Sequence, residues 1–342
     1  MAYRKKTILL YFCLLLLNAG LYGQETSFSR PQKIAGKVSD YEVIGQTDAG
    51  LLVNKWGERY QAIEAYDMNN LSLKWNKEVF LPDKKSKVIG IVPYNNELLI
   101  FYTLKQKRIT YVYARKVSTE LHQLMPEVVV DTIQKSFGSY GYSYQLSVSK
   151  NKAYICLQRM TNDFNGISSV NCVLLNRNLE ILGQKNIPIT NKLINEDNFL
   201  SNEGEIFLLD AQVKRTISSN NVLYDNFKLL RFNYATNKLS IVQIENVQYL
   251  LNDIKFEIDD RNNRIVAAGF YTEKQSNDIS GYFYLFIDLV EGRVSEQTFA
   301  PFNSEIIRRV SRNTLVRSRD QISNLRIRKV ITRQDGGALL IG

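Results

Sequence analysis

The chain has 342 residues, with 44 Lys+Arg against 34 Asp+Glu, a formal net charge of +10 and a single histidine. Its 20 Tyr and 16 Phe beside only 6 Pro and 3 Cys fit a folded, strand-rich protein and exclude a disordered chain or a disulfide-dense one. No Gly-x-Gly-x-x-Gly, P-loop or Gly-x-Ser-x-Gly run occurs, and any triad or His-based metal site would depend on His122 alone.

The first predicted element is a leader. Arg4, Lys5 and Lys6 form a cationic start, Ile8 to Leu17 an apolar run, and Leu21-Tyr22-Gly23 a cleavage signal before Gln24. Residues 1–23 therefore read as a signal peptide, which places the mature chain outside the cytoplasm: secreted, periplasmic or on the cell surface. The alternative is an uncleaved anchor, but the apolar run falls short of the roughly 20 residues that a spanning helix needs. Cys13 follows Phe12 in mid-run, a poor context for lipid attachment. Cleavage removes three cations and no acid, lowering the net charge to +7. Most of the remainder sits between Glu305 and Asp335, where Arg308, Arg309, Arg312, Arg317, Arg319, Arg326, Arg328, Lys329 and Arg333 face only Glu305, Asp320 and Asp335. Such a patch is either a solvated basic face or a surface for an anionic partner, and export argues against nucleic acid.

After an N-terminal segment at 24–40, one pattern recurs through residues 41–342. A polar turn launches an apolar strand at Leu51, Leu98, Ala153, Ile206, Ile265 and Ala338, with gaps of 47, 55, 53, 59 and 73. A second landmark follows each time: an aromatic or aliphatic strand runs into Asp67, Asn176, Asn233 or Asp288, then a short polar turn. Asp and Asn suit that place because their side chains close a turn on the backbone two residues on. The second unit, near Ala114-Arg115-Lys116-Val117, lacks the Asp/Asn. The strand after the first of these turns alternates, with Leu71, Leu73, Trp75, Val79 and Leu81 on one face. Leu98–Phe101 and Ile206–Leu209 are continuously apolar, as in strands covered on both sides.

Cys156 and Cys172 lie in successive strands joined by a loop at Thr161–Gly166. A hairpin centred on Phe164 would set them directly opposite, either as a disulfide or as two small buried residues. Tyr140, Tyr142 and Tyr144 share one face of an extended segment, suited to stacking on a ligand or to packing on a neighbouring sheet. From Asn303 to about Ser318 the alternation gives way to helical spacing at Ile306, Ile307 and Val310. That predicts an inserted helix at 303–318 carrying Arg308, Arg309 and Arg312 on one side, and it accounts for the long last gap. With Arg326 and Arg328 these form the candidate basic patch. The final unit stops at its first apolar strand, so a chain continuing past Gly342 is expected, with pairing by Gln32–Val38 as the alternative.

Export plus Asp-Gly-Gly, Asn-Asn-Glu and Asp/Asn-turn strand repeats resembles secreted bacterial β-propeller proteins of the broad WD40/kelch-like type, whose specific signatures are nonetheless missing here. The resemblance implies an all-β chain of four-stranded blades of about 50–60 residues, five blades and a partial sixth, and carries over no site residue. The expected function is a non-catalytic exported binding or scaffold protein of the cell envelope, with a protein or glycan partner, anionic ones included, and no cofactor or metal. The alternative is a carbohydrate-active enzyme, hydrolase or lyase, working with carboxylates such as Asp67, Asp210, Asp260 and Asp335.

Overall fold

A computed structural model describes residues 36–341 apart from 59, 135–140, 165, 195–199, 219–220, 246–247, 304, 306–324 and 334. The leader, and all of the expected helix except Asn303 and Glu305, lie outside the described residues. Within them the named elements are 22 β-strands, paired antiparallel and arranged mostly as four-stranded meanders. The chain divides into two compact units.

The first unit runs to Phe80 and takes in Asn95–Glu97 and Ser118–His122. Its sheet is β1 (Asp40–Thr47), β2 (Gly50–Gly57), β3 (Tyr60–Tyr66) and β4 (Leu73–Glu78), hydrogen-bonded in chain order. Of the alternating residues, Leu73 and Trp75 belong to its outer strand, β4, where Leu73 is exposed and Trp75 half-buried. Leu52, Ile63 and Ala65 are fully buried on one face. On the other face Glu64 is buried among Lys55 at 2.5 Å, the Tyr66 hydroxyl at 2.5 Å and the Asn76 amide at 2.9 Å. Burial, then the Glu64 carboxylate, push the Tyr66 phenol up and keep it a donor.

The second unit holds the remaining sheets. They are β5 (Lys87–Tyr94) to β8 (Val128–Gln134) through β6 (Glu97–Gln106) and β7 (Ile109–Ser118), then β9 (Tyr142–Val148), β10 (Tyr154–Asp163), β11 (Gly166–Asn176) and β12 (Ile181–Pro188). Next come β13 (Lys192–Ile194), β14 (Ile206–Ser218), β15 (Asn221–Asn233) and β16 (Lys238–Glu245), followed by β17 (Tyr249–Asp259), β18 (Arg264–Glu273), β19 (Ile279–Asp288) and β20 (Arg293–Pro301). These last two meanders merge into one eight-stranded sheet through a single residue pair, Tyr224 with Leu251. A hairpin of β21 (Lys329–Thr332) and β22 (Ala338–Ile341) closes the described chain.

Strand alternation explains how the sheets stack. In β10 and β11, Ile155, Leu157, Val173 and Leu175 face one way and pack with Leu99, Phe101 and Val112 of the preceding sheet. Their neighbours Cys156, Cys172 and Leu174 face the other way, onto Ile206, Leu208, Leu230 and Phe232 of the following sheet. The next layer joins Phe207, Leu209, Phe227 and Leu229 to Ile265, Ala267, Phe283 and Leu285. Continuous apolar runs thus mark strands covered on both faces. Every recurrent onset found in the sequence falls within a residue of the start of a sheet's second strand: β2, β6, β10, β14, β18 or β22.

Candidate functional site

Two families of turn carry the polar residues. The first joins the third strand of a sheet to the fourth and closes on itself. Asp67 accepts the Asn69 amide at 2.9 Å, Asn176 those of Asn178 and Glu180 at 2.9 and 3.1 Å, Asn233 that of Thr236 at 3.0 Å, and Asp288 those of Val290 and Glu291 at 2.7 and 2.9 Å. The turn then ends on a left-handed residue: Leu71, Leu179, Asn237 or Gly292. Amide donors hold the Asp67 and Asp288 carboxyls below their usual range, chiefly those of Asn69 and Glu291 respectively. In the β7–β8 connection a hydroxyl replaces the carboxyl oxygen. Ser118 Oγ accepts the amides of Glu120 and His122 at 3.2 Å, and Leu121 is left-handed.

The second family joins the first strand of a sheet to its second, and in the second unit it reaches across to the next sheet. The Asn151 amide donates to Asn202 Oδ1 at 2.8 Å, and the Asn202 amide donates to Asp260 Oδ1 at 2.7 Å. Asn151 Nδ2 also reaches the Asn202 carbonyl at 3.2 Å. One sheet back, Lys152 Nζ donates to the Pro93 carbonyl at 3.0 Å and Tyr94 OH to the Lys152 carbonyl at 2.9 Å. Burial pushes the Tyr94 phenol up to about 12. One sheet on, Arg264 donates to the Gly336 carbonyl. Three chain-distant Asx residues, Asn151, Asn202 and Asp260, thereby form a relay along successive loops.

Buried carboxylates lie at the base of two of these loops, Glu205 and Asp259, and a third, Asp210, lies within β14; each is paired. Arg231 grips Glu205 through Nε at 3.1 Å and Nη2 at 2.8 Å, and Asn233 adds a bond at 2.7 Å. Arg231 Nη1 continues to the Leu289 carbonyl in the next meander of the same sheet. Asp259 takes Arg264 Nε at 3.1 Å and Asn262 at 2.7 Å. Asp210, buried at 2% exposure, accepts Thr190 Oγ1 at 2.6 Å and the Asn191 amide at 2.8 Å. Chemically these are fixed acceptors. A general acid or nucleophile needs a carboxyl directed at substrate rather than saturated by guanidinium and amide donors.

Of the four carboxylates named from the sequence, Asp67 closes a turn on the first unit and Asp335 caps Gly337 at 2.9 Å, while Asp210 holds the Thr190–Asn191 stretch just before β13 and Asp260 accepts the Asn202 amide of the neighbouring loop. Among the tyrosines, Tyr140 lies outside the described residues. Tyr142 and Tyr144 are on β9, edge to face with ring centroids 5.6 Å apart, and they turn to the preceding sheet. Tyr142 OH donates to Thr110 Oγ1 at 2.7 Å, and Tyr144 OH to Asp131 at 2.9 Å, where Arg159 completes a cluster at 2.6 Å. Burial and then the Asp131 carboxylate push the Tyr144 phenol up. These rings spend their hydroxyls on inter-sheet packing.

The cysteine geometry needs correction. Cys156 pairs with Leu174 and Cys172 with Gln158, so the two are diagonal neighbours, not directly opposite. The register is displaced by two residues because the hairpin turns between Asp163 and Gly166 and carries a bulge at Thr161/Asn162. Both are buried, with free thiols, as in the second of the two arrangements left open by the sequence. Diagonal strand positions stand about 7–8 Å apart, beyond the usual span of a disulfide. Burial pushes the Cys156 thiol up, and the thiol of Cys172 beside it adds to the effect. Tyr234 OH donates to the Cys172 carbonyl at 2.8 Å, its ring filling the space left by the missing side chain of Gly183. Of the basic patch, Arg308, Arg309 and Arg312 lie outside the described residues, whereas Arg326 and Arg328 are exposed just before β21. His122 is exposed near Glu120 at 3.5 Å. Among the described residues no three His, Cys, Asp or Glu gather as metal ligands.

No family model matches the sequence, and no curated protein matches it. Solved structures similar to the chain include a Synechocystis apocarotenoid oxygenase, at 11% identity and a TM-score of 0.40 over 73% of this chain. An uncharacterized protein from Listeria monocytogenes matches at 12% identity and a TM-score of 0.40, over 80% of this chain and 70% of that one. The WD40 domain of SCAP from fission yeast matches at 8% and 0.27, over 74% of each chain. The chain spans 57% of the length of the oxygenase.

Proposed function

We propose that the chain is an exported, non-catalytic binding or scaffold protein of the cell envelope, built as a β-propeller whose blades are the four-stranded sheets. Its recognition elements are then its surfaces rather than a reactive centre. One observation carries this view: the buried carboxylates Glu205, Asp210 and Asp259 are each committed to arginine, hydroxyl or amide donors that tie neighbouring strands together. The meander order, the relay between successive loops and the recurrent second strand support the propeller arrangement. The leader at residues 1–23 supports export.

The test is a pair of measurements on purified mature protein. Capture of a specific envelope protein or glycan, with no turnover across a broad polysaccharide panel, is the expected outcome. Turnover abolished by Asp210→Asn or Asp260→Asn in a folded protein would replace this view with a carbohydrate-active enzyme.

A further inference from the structure

Two short basic runs of the second unit stand apart in the chain and together in the fold. Asp83-Lys84-Lys85-Ser86-Lys87 leads into β5, and Lys105-Gln106-Lys107-Arg108 ends β6 and turns into β7. The pairing of β5 with β6 brings them to one corner of their sheet. Thr103 Oγ1 donates to the Lys87 carbonyl at 3.4 Å, so Lys105 and the turn extend past the end at which β5 begins. Lys107 is left-handed there, with φ of 55°, and reverses the chain.

Lys84, Lys85, Lys87, Lys105, Lys107 and Arg108 are all exposed, and none is ion-paired among the described residues. The single acid, Asp83, is spent on its own turn: Oδ1 accepts the Lys85 amide at 2.7 Å, and its carbonyl accepts the Ser86 amide at 2.9 Å. By contrast, exposed Lys37 stands beside Glu78 and exposed Arg293 beside Glu291. The corresponding turns of later sheets are not basic either, with Asp163 before Gly166 and Asp278 balancing Lys274. Between residues 81 and 111 no large apolar side chain is exposed.

These facts select a kind of ligand. Crowded, unpaired cations repel one another and gain by sharing a multivalent anion. Five of the six are lysines, hydrated point charges on flexible stems, which suit a polymer of repeated anions better than one bidentate group. The corner lacks the exposed apolar anchors of a lipid-binding surface and the apolar centre of a protein interface.

We propose that this corner binds a linear acidic polysaccharide, whose carboxylates or sulfates lie along Lys84, Lys85 and Lys87 and along Lys105, Lys107 and Arg108. This rests on the binding role proposed above and names a ligand class and a surface for it.

The probe is a fluorescein-labelled oligogalacturonate, read by anisotropy against a neutral dextran oligosaccharide of equal length. The acidic probe should bind, the neutral one should not, and added salt should weaken the complex. Lys85→Gln, Lys105→Gln and Lys107→Gln together, all at exposed positions, should weaken binding about tenfold and leave the melting curve unchanged. The triple Lys192→Gln, Lys238→Gln and Lys274→Gln removes the same charge elsewhere and should change affinity by less than about twofold. Equal losses in both triples, or none in the first, overturn the proposal. So does tighter binding to phosphatidylglycerol vesicles that the first triple abolishes, which would make a lipid surface the occupant. If an envelope partner is captured equally by wild type and the first triple, the binding role stands and this corner is wrong. Cleavage of the bound oligosaccharide would leave the corner in place and overturn the non-catalytic reading.

Discussion

The two families of turn do different jobs, although both are rich in Asx, Ser and Gly. The turn between third and fourth strands is self-contained: Asp288 Oδ1 takes two amides of its own turn, and Gly292 reverses the chain. The loop between first and second strands is outward-looking: Asn202 accepts from one neighbouring loop and donates to the next. The same side chain can therefore punctuate a strand or couple two sheets. Only the partner's distance in sequence separates the roles, 2–3 residues for Asp288 against 51 and 58 for Asn202. Coupling between units should dominate stability in the loops, and local backbone geometry should dominate in the turns.

The largest test of that contrast is Arg231→Ala. It strands Glu205, whose side chain is 8% exposed, and cuts the bond to Leu289 in the next meander. An unpaired buried carboxylate costs about 3 kcal/mol, readable as a lowered urea midpoint. Arg231→Lys should recover part of it, because a single ammonium cannot copy the two-pronged grip. A loss below about 1 kcal/mol would mean that the pair contributes little to joining these meanders. Next comes Asn202→Ala, which removes the acceptor of the Asn151 amide and costs about 1 kcal/mol. Hydrogen exchange should quicken at Asn151 while the Asn69 amide, in a self-contained turn, keeps its rate. Equal quickening at both would erase the distinction between the two families.

The same contrast explains what could be read from the sequence. The second-strand onsets and the Asp67, Asn176, Asn233 and Asp288 landmarks were legible because their causes are local: both-face burial gives an unbroken apolar run, and an Asx turn needs only its own next residues. Ser118 was missed for a chemical reason, since a hydroxyl performs the Asx task without matching the residue type. The cysteine register was misplaced because one bulge and a tight turn move every later pairing, and nothing in the residue spacing marks a bulge. The relay and the Glu205–Arg231 pair were invisible. Their partners stand 26 to 58 residues apart, and no local rule selects Asn202 over the many other Asn residues. Tyr142 and Tyr144 were placed on one face by alternation alone, but only the neighbouring sheet's Thr110 and Asp131 decide what that face meets.

Acid should separate the families as well. Asp67 and Asp288 have carboxyls depressed by their own turn amides. A depressed folded value means that the stabilisation is present above the unfolded value of about 3.9 and is lost as pH falls through the folded one. Carboxyl-carbon NMR titration should therefore show midpoints below 3.8 for both. Asp288→Asn keeps the acceptor and should remove that part of the acid dependence. A midpoint at or above 3.8 for either would mean that its turn amides are not bonded to the charged form.

The smallest effects test the left-handed position itself. Gly292 has φ of 66°, and a Cβ built there meets nothing within 4 Å, so Gly292→Ala probes backbone strain without a steric clash. It should destabilise by about 1 kcal/mol, the usual penalty for an L-residue in this region. Leu71 ends the corresponding turn of the first unit with φ of 54°, already bearing that penalty. Leu71→Gly relieves it while loosening the unfolded chain and removing a half-buried side chain, so the net change should be a few tenths of a kcal/mol in either direction. The two substitutions at one structural position should thus differ clearly, with Gly292→Ala the more harmful. Equal losses would show that side-chain packing, not the sign of φ, governs how these turns end.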